Sequence, residues 1–275
     1  MGLEDDYPFN LMKKNNKICF VSVDVESDLN DEASFSNINS IEHLLGVFRQ
    51  NSVPATLFVS GLVLEKFPEL VKKWSVEFEI GSHNYTHDSL TNLSAEEKTL
   101  QINNFQNLYR RNLGKTCVGF RAPRHLIDNE EIKFLQDGDF EYDSSVIPDY
   151  VSFKRYGGFK GKAPLMPYRV SEKDYLKKGE SRFIELPLTP VLGGFPLAGT
   201  WIRYFGPSFF RTLLFFRKPN FLSLMMHSWD AIEFNGPNSR NSGEKYLHQL
   251  EIILKHLKKI SYEFKSGEKI ANELK

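Results

Sequence analysis

Apolar runs of strand length alternate along this chain with apolar positions at helical spacing. Ile18-Cys19-Phe20-Val21-Ser22-Val23 is a nearly continuous apolar run that predicts a buried strand, and Ile41, Leu44, Leu45 and Phe48 recur at the spacing of a helix face. Ala55-Thr56-Leu57-Phe58-Val59 predicts a second buried strand, closed by Ser60-Gly61 and followed by a helical segment with Leu62, Leu64 and Leu70 among charged residues. Glu77-Phe78-Glu79-Ile80 is a third short run. Ser94, with Glu97 three residues on, reads as the start of a helix that ends about Asn112, before Gly114. Val118-Gly119-Phe120, Arg182-Phe183-Ile184-Glu185-Leu186 and Phe221 through Met226 read as later strands. Asp128 caps a helix through Leu135, and Asn241 to Lys259, apolar at Leu247, Leu250, Ile253, Leu254 and Leu257, reads as the last helix. The segment from about Tyr150 to Lys178, rich in Gly, Pro and basic residues, reads as a long loop. Strands alternating with helices predict an α/β fold around a parallel sheet.

The polar residues fall in a repeated place, just after the strands. The first strand is followed by Asp24, Glu26 and Asp28, the third by His83 and His87, the next by Arg121, and the run ending at Met226 by His227. Tyr142-Asp143-Ser144-Ser145 follows another short element. In parallel barrels and open α/β sheets, catalytic groups gather at the carboxyl ends of the strands. Two histidines four residues apart are able to converge on one cation, and with one carboxylate they make three protein ligands, leaving a position for water as in a catalytic zinc site. The acidic run offers Asp24, Glu26 and Asp28 for that third place. Arg121 reads either as a structural ion pair or as the group that keeps a catalytic carboxylate ionised. His43, His248 and His256 read as solvated helix faces.

Composition narrows the picture without adding chemistry. Of 275 residues, 41% are hydrophobic and 25% charged, ordinary for a globular protein, and the length fits a single large domain. Lys plus Arg (35) equals Asp plus Glu (35), which gives no argument for a nucleic-acid partner. Cys19 and Cys117 lie in apolar runs and read as buried thiols. With no apolar leader visible, the expectation is a cytoplasmic protein.

Several ordered motifs resemble the polysaccharide deacetylases of carbohydrate esterase family 4. Ser22-Val23-Asp24-Val25-Glu26 is similar to the first motif in its Asp-x-Glu form. Glu79-Ile80-Gly81-Ser82-His83 through His87 is similar to the second, Gly119-Phe120-Arg121-Ala122-Pro123 to the third, and Leu224-Met225-Met226-His227 to a Leu-x-x-His motif near the end. The resemblance implies a distorted (β/α) barrel with fewer than eight parallel strands and hydrolytic removal of N-acetyl groups from an amino sugar or glycan. It also implies a divalent metal, most often zinc, sometimes cobalt or nickel. By position, Asp24 is the implied base, His227 the acid and Arg121 the tether of the base. Glu26, His83 and His87 are the implied metal ligands, Glu26 because Val25 stands where many members carry a second Asp. Pro123, Arg124, Leu224 and Trp229 are the implied substrate-binding residues, Leu224 for the acetyl methyl. Arg124 replaces a common aromatic residue, which makes that side of the pocket more basic.

The expected domain is residues 18–262, between an N-terminal extension (1–17) and a C-terminal tail (263–275). A cytoplasmic enzyme of this kind meets lipid-linked or surface-polysaccharide precursors. Trp201 through Lys218 mixes aromatic and basic residues, which reads as a buried barrel helix or as an amphipathic surface in peripheral contact with the inner face of a membrane. Two other functions fit the same residues: hydrolysis of a small non-peptide amide or cyclic ureide, and a catalytically inactive glycan-binding barrel.

Overall fold

A computed structural model describes residues 17–29, 31–148, 162–192, 195–234 and 239–275. The expected extension before Lys17 and much of the expected loop after Tyr150 lie outside these residues. The strands are β1 (Lys17–Val25), β2 (Thr56–Val59), β3 (Glu79–Ser82), β4 (Gly119–Phe120), β5 (Tyr142–Asp143), β6 (Tyr168–Arg169), β7 (Ile184–Glu185), β8 (Pro190–Leu192), β9 (Phe195–Ala198), β10 (Phe221–His227) and β11 (Tyr262–Lys265). The helices are α1 (Ile41–Gln50), α2 (Gly61–Lys66), α3 (Pro68–Trp74), α4 (Ala95–Leu113), α5 (Asn129–Asp137), α6 (Gly199–Arg217), α7 (Glu244–Lys259) and α8 (Gly267–Leu274).

Parallel ladders join β7-β5-β4-β3-β2-β1-β10-β9 in that order. The result is the distorted (β/α) barrel of the sequence reading. The strand count differs from the expected fewer than eight: eight can be followed in parallel along this path and β11 pairs parallel with β1, but β4, β5 and β7 are two-residue rungs. Among the described residues no ladder closes the β7 end onto the β9 end. Short rungs leave few hydrogen bonds to hold a closed cylinder, so the sheet curls without sealing.

β1 is the centre of the sheet, apolar from Cys19 to Val25 on one face. Its register fixes the site: Asp24 lies beside His227 of β10 and beside Phe58 of β2. Period-two alternation puts Phe20, Ser22 and Asp24 on the barrel's inner face and Val21, Val23 and Val25 against the helices. Capping is as the sequence predicts at two helices. Ser94 and Glu97 form a capping box at α4, and Gly114 ends that helix in the left-handed region (φ 70°); Asp128 and Glu131 form the box at α5.

The expected tail at 263–275 is instead part of the barrel. β11 pairs with the first half of β1, and α8, not α7, is the last helix. Ile270, Ala271 and Leu274 pack with Ile18, Phe20, Phe58 and Tyr142, so α8 plugs the end of the barrel opposite Asp24. Burying that apolar face supplies what an unpacked tail lacks, a reason to be helical at all.

Candidate active site

Asp24 and His227 lie at the ends of β1 and β10, while His83, Arg121 and Ser144 sit one position past their strands with the backbone still laddered. His83 N–H donates to Val59 O (3.0 Å), Arg121 N–H to Ser82 O (2.9 Å) and Ser144 N–H to Phe120 O (2.9 Å). The histidine pair lies on a loop after β3. That loop turns at left-handed Asn84 (φ 63°) and is pinned where Asn84 and Tyr85 carbonyls accept from Gly61 and Leu62 N–H groups of α2. Thr86 N–H donates to Gln101 of α4 at 2.9 Å.

Glu26, His83 and His87 each direct one ligand atom to a common point, all within 4.8 Å of one another. His83 Nε2 lies 3.2 Å from Glu26 Oε2, and His87 Nε2 also contacts that oxygen. His83 Nδ1 faces Arg121 O at 2.8 Å. A carbonyl only accepts, so Nδ1 carries hydrogen and the lone pair of a neutral imidazole is at Nε2, facing the carboxylate. Glu26 Oε2 is buried with no hydrogen-bond donor. Lone pairs gathered on a buried anionic oxygen fit a shared divalent cation. Asp28 is not in this set: its carboxylate accepts from Ser34 Oγ, Ser36 N–H, Ser36 Oγ and Asn37 N–H, holding the loop after β1.

Asp24 has different company. Arg121, fully buried, donates from Nη1 to Asp24 Oδ1 (2.7 Å) and Ser22 Oγ (2.8 Å), from Nε to Ser144 O (2.8 Å), and from Nη2 to Ser144 Oγ (2.8 Å). Its guanidinium also lies 4.3 Å from the centre of the Phe58 ring. Burial alone would raise the Asp24 carboxyl; Arg121, with His83, His227 and His125, outweighs it and keeps the group below the usual carboxylate range.

His227 reaches the site from β10, the strand next to β1, so it flanks Asp24 rather than facing it across the barrel. Its ring stacks on Trp229 (4.2 Å between centroids, 9° between planes). Asp230 accepts from His227 N–H at 2.9 Å, and its Oδ2 stands 3.7 Å from His227 Nδ1. Burial lowers the His227 pKa, but the Asp230 carboxylate, helped by Asp24 and Glu26, raises it overall and favours the imidazolium.

Of the residues expected to bind substrate, Trp229 borders His227 and Pro123 is buried beside Arg121. Arg124 is exposed, left-handed (φ 55°), and 3.5 Å from exposed Glu32. Leu224 is a correction. Its register partners are Val21 and Leu197, and it belongs to the large core beneath the helices. Alternation along β10 puts Met225 on the His227 face instead, packed with Ile147, Leu188 and Ala198.

Tyr142-Asp143-Ser144-Ser145 stood out in the sequence, but the supporting contacts around Asp24 and His227 did not. Ser22 precedes Asp24 by two and so shares its face, a signal present in the strand period. Ser144 and Ser145 hold the third motif, with Ser145 Oγ accepting from Ala122 N–H and donating to Asp143. Asp143 pairs with Glu185 of β7, whose pKa burial and the Asp143 charge push well up. Asp230, three residues after His227, offered no period to find it by.

A sequence profile of the polysaccharide deacetylase family matches residues 31–142, taking in His83, His87 and Arg121. The peptidoglycan deacetylase of Helicobacter pylori is 28% identical over 172 residues, 59% of this chain; the match spans 57% of that relative's length. A crystal structure from Mycobacterium smegmatis, described as a polysaccharide deacetylase, has the same fold at a TM-score of 0.67 and 18% identity, covering 96% of this chain and 92% of that one. So does a pseudoenzyme of carbohydrate esterase family 4 from Bacillus anthracis (TM-score 0.58, 12% identity, 95% and 67% covered). The fold therefore does not by itself establish catalysis. Profile and relative point the same way and the barrel agrees in fold: the chain is similar to the polysaccharide deacetylases, with the family profile matched over residues 31–142.

Proposed function

We propose that the chain is a metal-dependent hydrolase that removes N-acetyl groups from an amino sugar or glycan. The observation that carries this reading is the convergence of Glu26, His83 and His87 donor atoms within 4.8 Å, beside an Asp24 carboxylate that none of them uses. Glu26 Oε2, His83 Nε2 and His87 Nε2 hold the divalent cation, with zinc the best match to two imidazoles and one carboxylate. That cation supplies Lewis-acid chemistry, lowering the pKa of water and polarising an acyl carbonyl.

The chain's own groups divide the proton work. Asp24, kept ionised by Arg121, takes the proton from the attacking water. Arg121 occupies Asp24 Oδ1, which fixes the carboxylate plane and leaves one oxygen for that proton. His227, favoured as imidazolium by Asp230, gives a proton to the departing amine. Trp229 covers one face of the His227 ring and limits its rotation. Met225, with Ile147 and Leu188, offers the small apolar surface an acetyl methyl needs.

The substrate we infer is a lipid-linked or surface-polysaccharide precursor, met on the cytoplasmic side; two buried, unpaired thiols, Cys19 and Cys117, suit a reducing compartment. Acetate release from acetylated chitooligosaccharides by the zinc-loaded protein tests the activity. Loss of release in Asp24→Asn, with the fold and metal retained, supports it. Full activity in that variant rules the mechanism out, and no release from any acetylated sugar points to the inactive barrel.

A further inference from the structure

α6 is half buried and half bare. Ile202, Arg203, Phe210 and Leu214 pack inward, but Tyr204 (39%), Phe205 (51%), Phe215 (65%) and Phe216 (76%) are exposed. The only other large hydrophobic residues so exposed among those described are Val76, Leu100 and Leu165. They are scattered, whereas the four aromatics recur along one helix and form a patch. The helix is broken at Gly206 (φ 74°) and restarts at Pro207, which keeps Tyr204 and Phe205 outward on the first half and Phe215 and Phe216 outward on the second.

The charge carried by α6 itself has one sign. From Gly199 to Lys218 the chain contains no Asp or Glu. Arg211, Arg217 and Lys218 are exposed on α6; Lys218 lies over the Phe215 ring (5.2 Å) and Arg240 over the Tyr204 ring (5.9 Å). On neighbouring α7, burial first and then the charges of Arg211 and Lys259 lower the His256 pKa. None of these five cations is within ion-pair distance of a carboxylate among the described residues. Aromatic side chains ringed by unneutralised cations match the interfacial zone of an anionic bilayer, where rings sink among headgroups and cations meet phosphate. A protein partner of mixed charge would not need every cation left free.

The patch is continuous with the site. Trp201 packs on the cluster containing Met225, then stacks on Phe205 (6.0 Å), which stacks on Phe209 (4.8 Å). Arg203 reaches back to Asp230 at 3.4 Å. No described helix is long and apolar enough to cross a membrane, so such contact is peripheral.

We propose that the outer face of α6 seats the protein on an anionic lipid surface, with the site's mouth beside it. This does not depend on the hydrolytic reading, since vesicle binding is measured without substrate. Flotation of the full chain with phosphatidylcholine vesicles containing phosphatidylglycerol, against pure phosphatidylcholine, is the test. The expected result is binding to the anionic vesicles alone, weakened by salt. Replacing Arg211, Arg217 and Lys218 together by Ser should cost roughly a hundredfold in partitioning, and Phe215→Ser with Phe216→Ser at least tenfold. Both variants should keep the wild-type circular dichroism and melting. A wild type wholly unbound at low salt, or variants that float like wild type, overturns the proposal. A monomer–dimer shift in the aromatic variant without vesicle binding would assign the face to a second copy and overturn it equally.

Discussion

Arg121→Lys keeps the charge and removes the geometry, so it separates two roles that a deletion would confound. In the folded protein the guanidinium satisfies Asp24, Ser22, the Ser144 carbonyl and the Ser144 hydroxyl at once, fully buried over Phe58. A lysine ammonium is a compact point charge on a flexible stem. If it reaches Asp24, the Ser144 carbonyl and one face of the Ser144 hydroxyl lose their donor. An unsatisfied buried acceptor costs about 1–3 kcal/mol, so the substitution should destabilise the fold by about 2–3 kcal/mol. Arg121→Ala leaves Asp24 as a buried unpaired charge and should cost about 3–5 kcal/mol. Urea unfolding at neutral pH measures both. Acetate release should fall further in Arg121→Lys than any loss of folded protein explains, by roughly a hundredfold in kcat, because the base is no longer held in plane. A lysine variant within about 0.5 kcal/mol of wild type, with unchanged kcat, would refute the tethering argument.

Three further outcomes follow from the packing and charge. Glu131 is buried beside Asp128, which together push its pKa up to about 7 against an ordinary 4.5; the unfolded chain therefore releases this proton first, and stability falls as pH rises through that interval. Relative to Glu131→Gln, wild type should lose on the order of 1–2 kcal/mol between pH 5 and pH 8, and parallel chemical-denaturation curves at the two pH values would contradict this. Gly119→Ala places a Cβ 2.3 Å from the Tyr142 ring, so the ring must leave Glu79, and a loss of about 2–3 kcal/mol is expected by thermal melting. Met225→Ala, on the His227 face, should raise KM more than Leu224→Ala, whereas Leu224→Ala should lower stability by about 2–5 kcal/mol as a core truncation; equal KM effects would restore Leu224 to the pocket.

The sequence carried the edges of this fold better than its ends. Continuous apolar runs marked β1, β2 and β10 because a strand buried on both faces has no polar alternation to interrupt it. The run at Arg182–Leu186 contracted to Ile184–Glu185, since only two residues there find a partner strand. Residues 263–275 read as a tail because a four-residue strand and an eight-residue helix are too short to declare themselves; their structure comes from packing beneath β1, which is tertiary. The candidate site was legible where chemistry and strand ends coincide, at Asp24, Glu26, His83, His87, Arg121 and His227, which the fold brings to one edge. Period two on β1 separated Glu26 and Asp24 from Val25, but it did not show that Asp28 turns away to cap a loop. Leu224 was misplaced because the motif was matched by spacing to His227 without applying the same alternation that worked on β1. Asp230 and Glu185 act through pairing across elements, which no local pattern encodes.

The central claim is that one cation is held by Glu26, His83 and His87 and by no other carboxylate of the acidic run. Calorimetric titration of zinc into the apoprotein tests it directly, in wild type, Glu26→Gln, Asp24→Asn and Asp28→Asn. The account predicts one tight site per chain in wild type, kept in Asp24→Asn and Asp28→Asn, and weakened at least a hundredfold in Glu26→Gln. Wild-type affinity in Glu26→Gln, or loss of the site in Asp28→Asn with the fold intact, would contradict it.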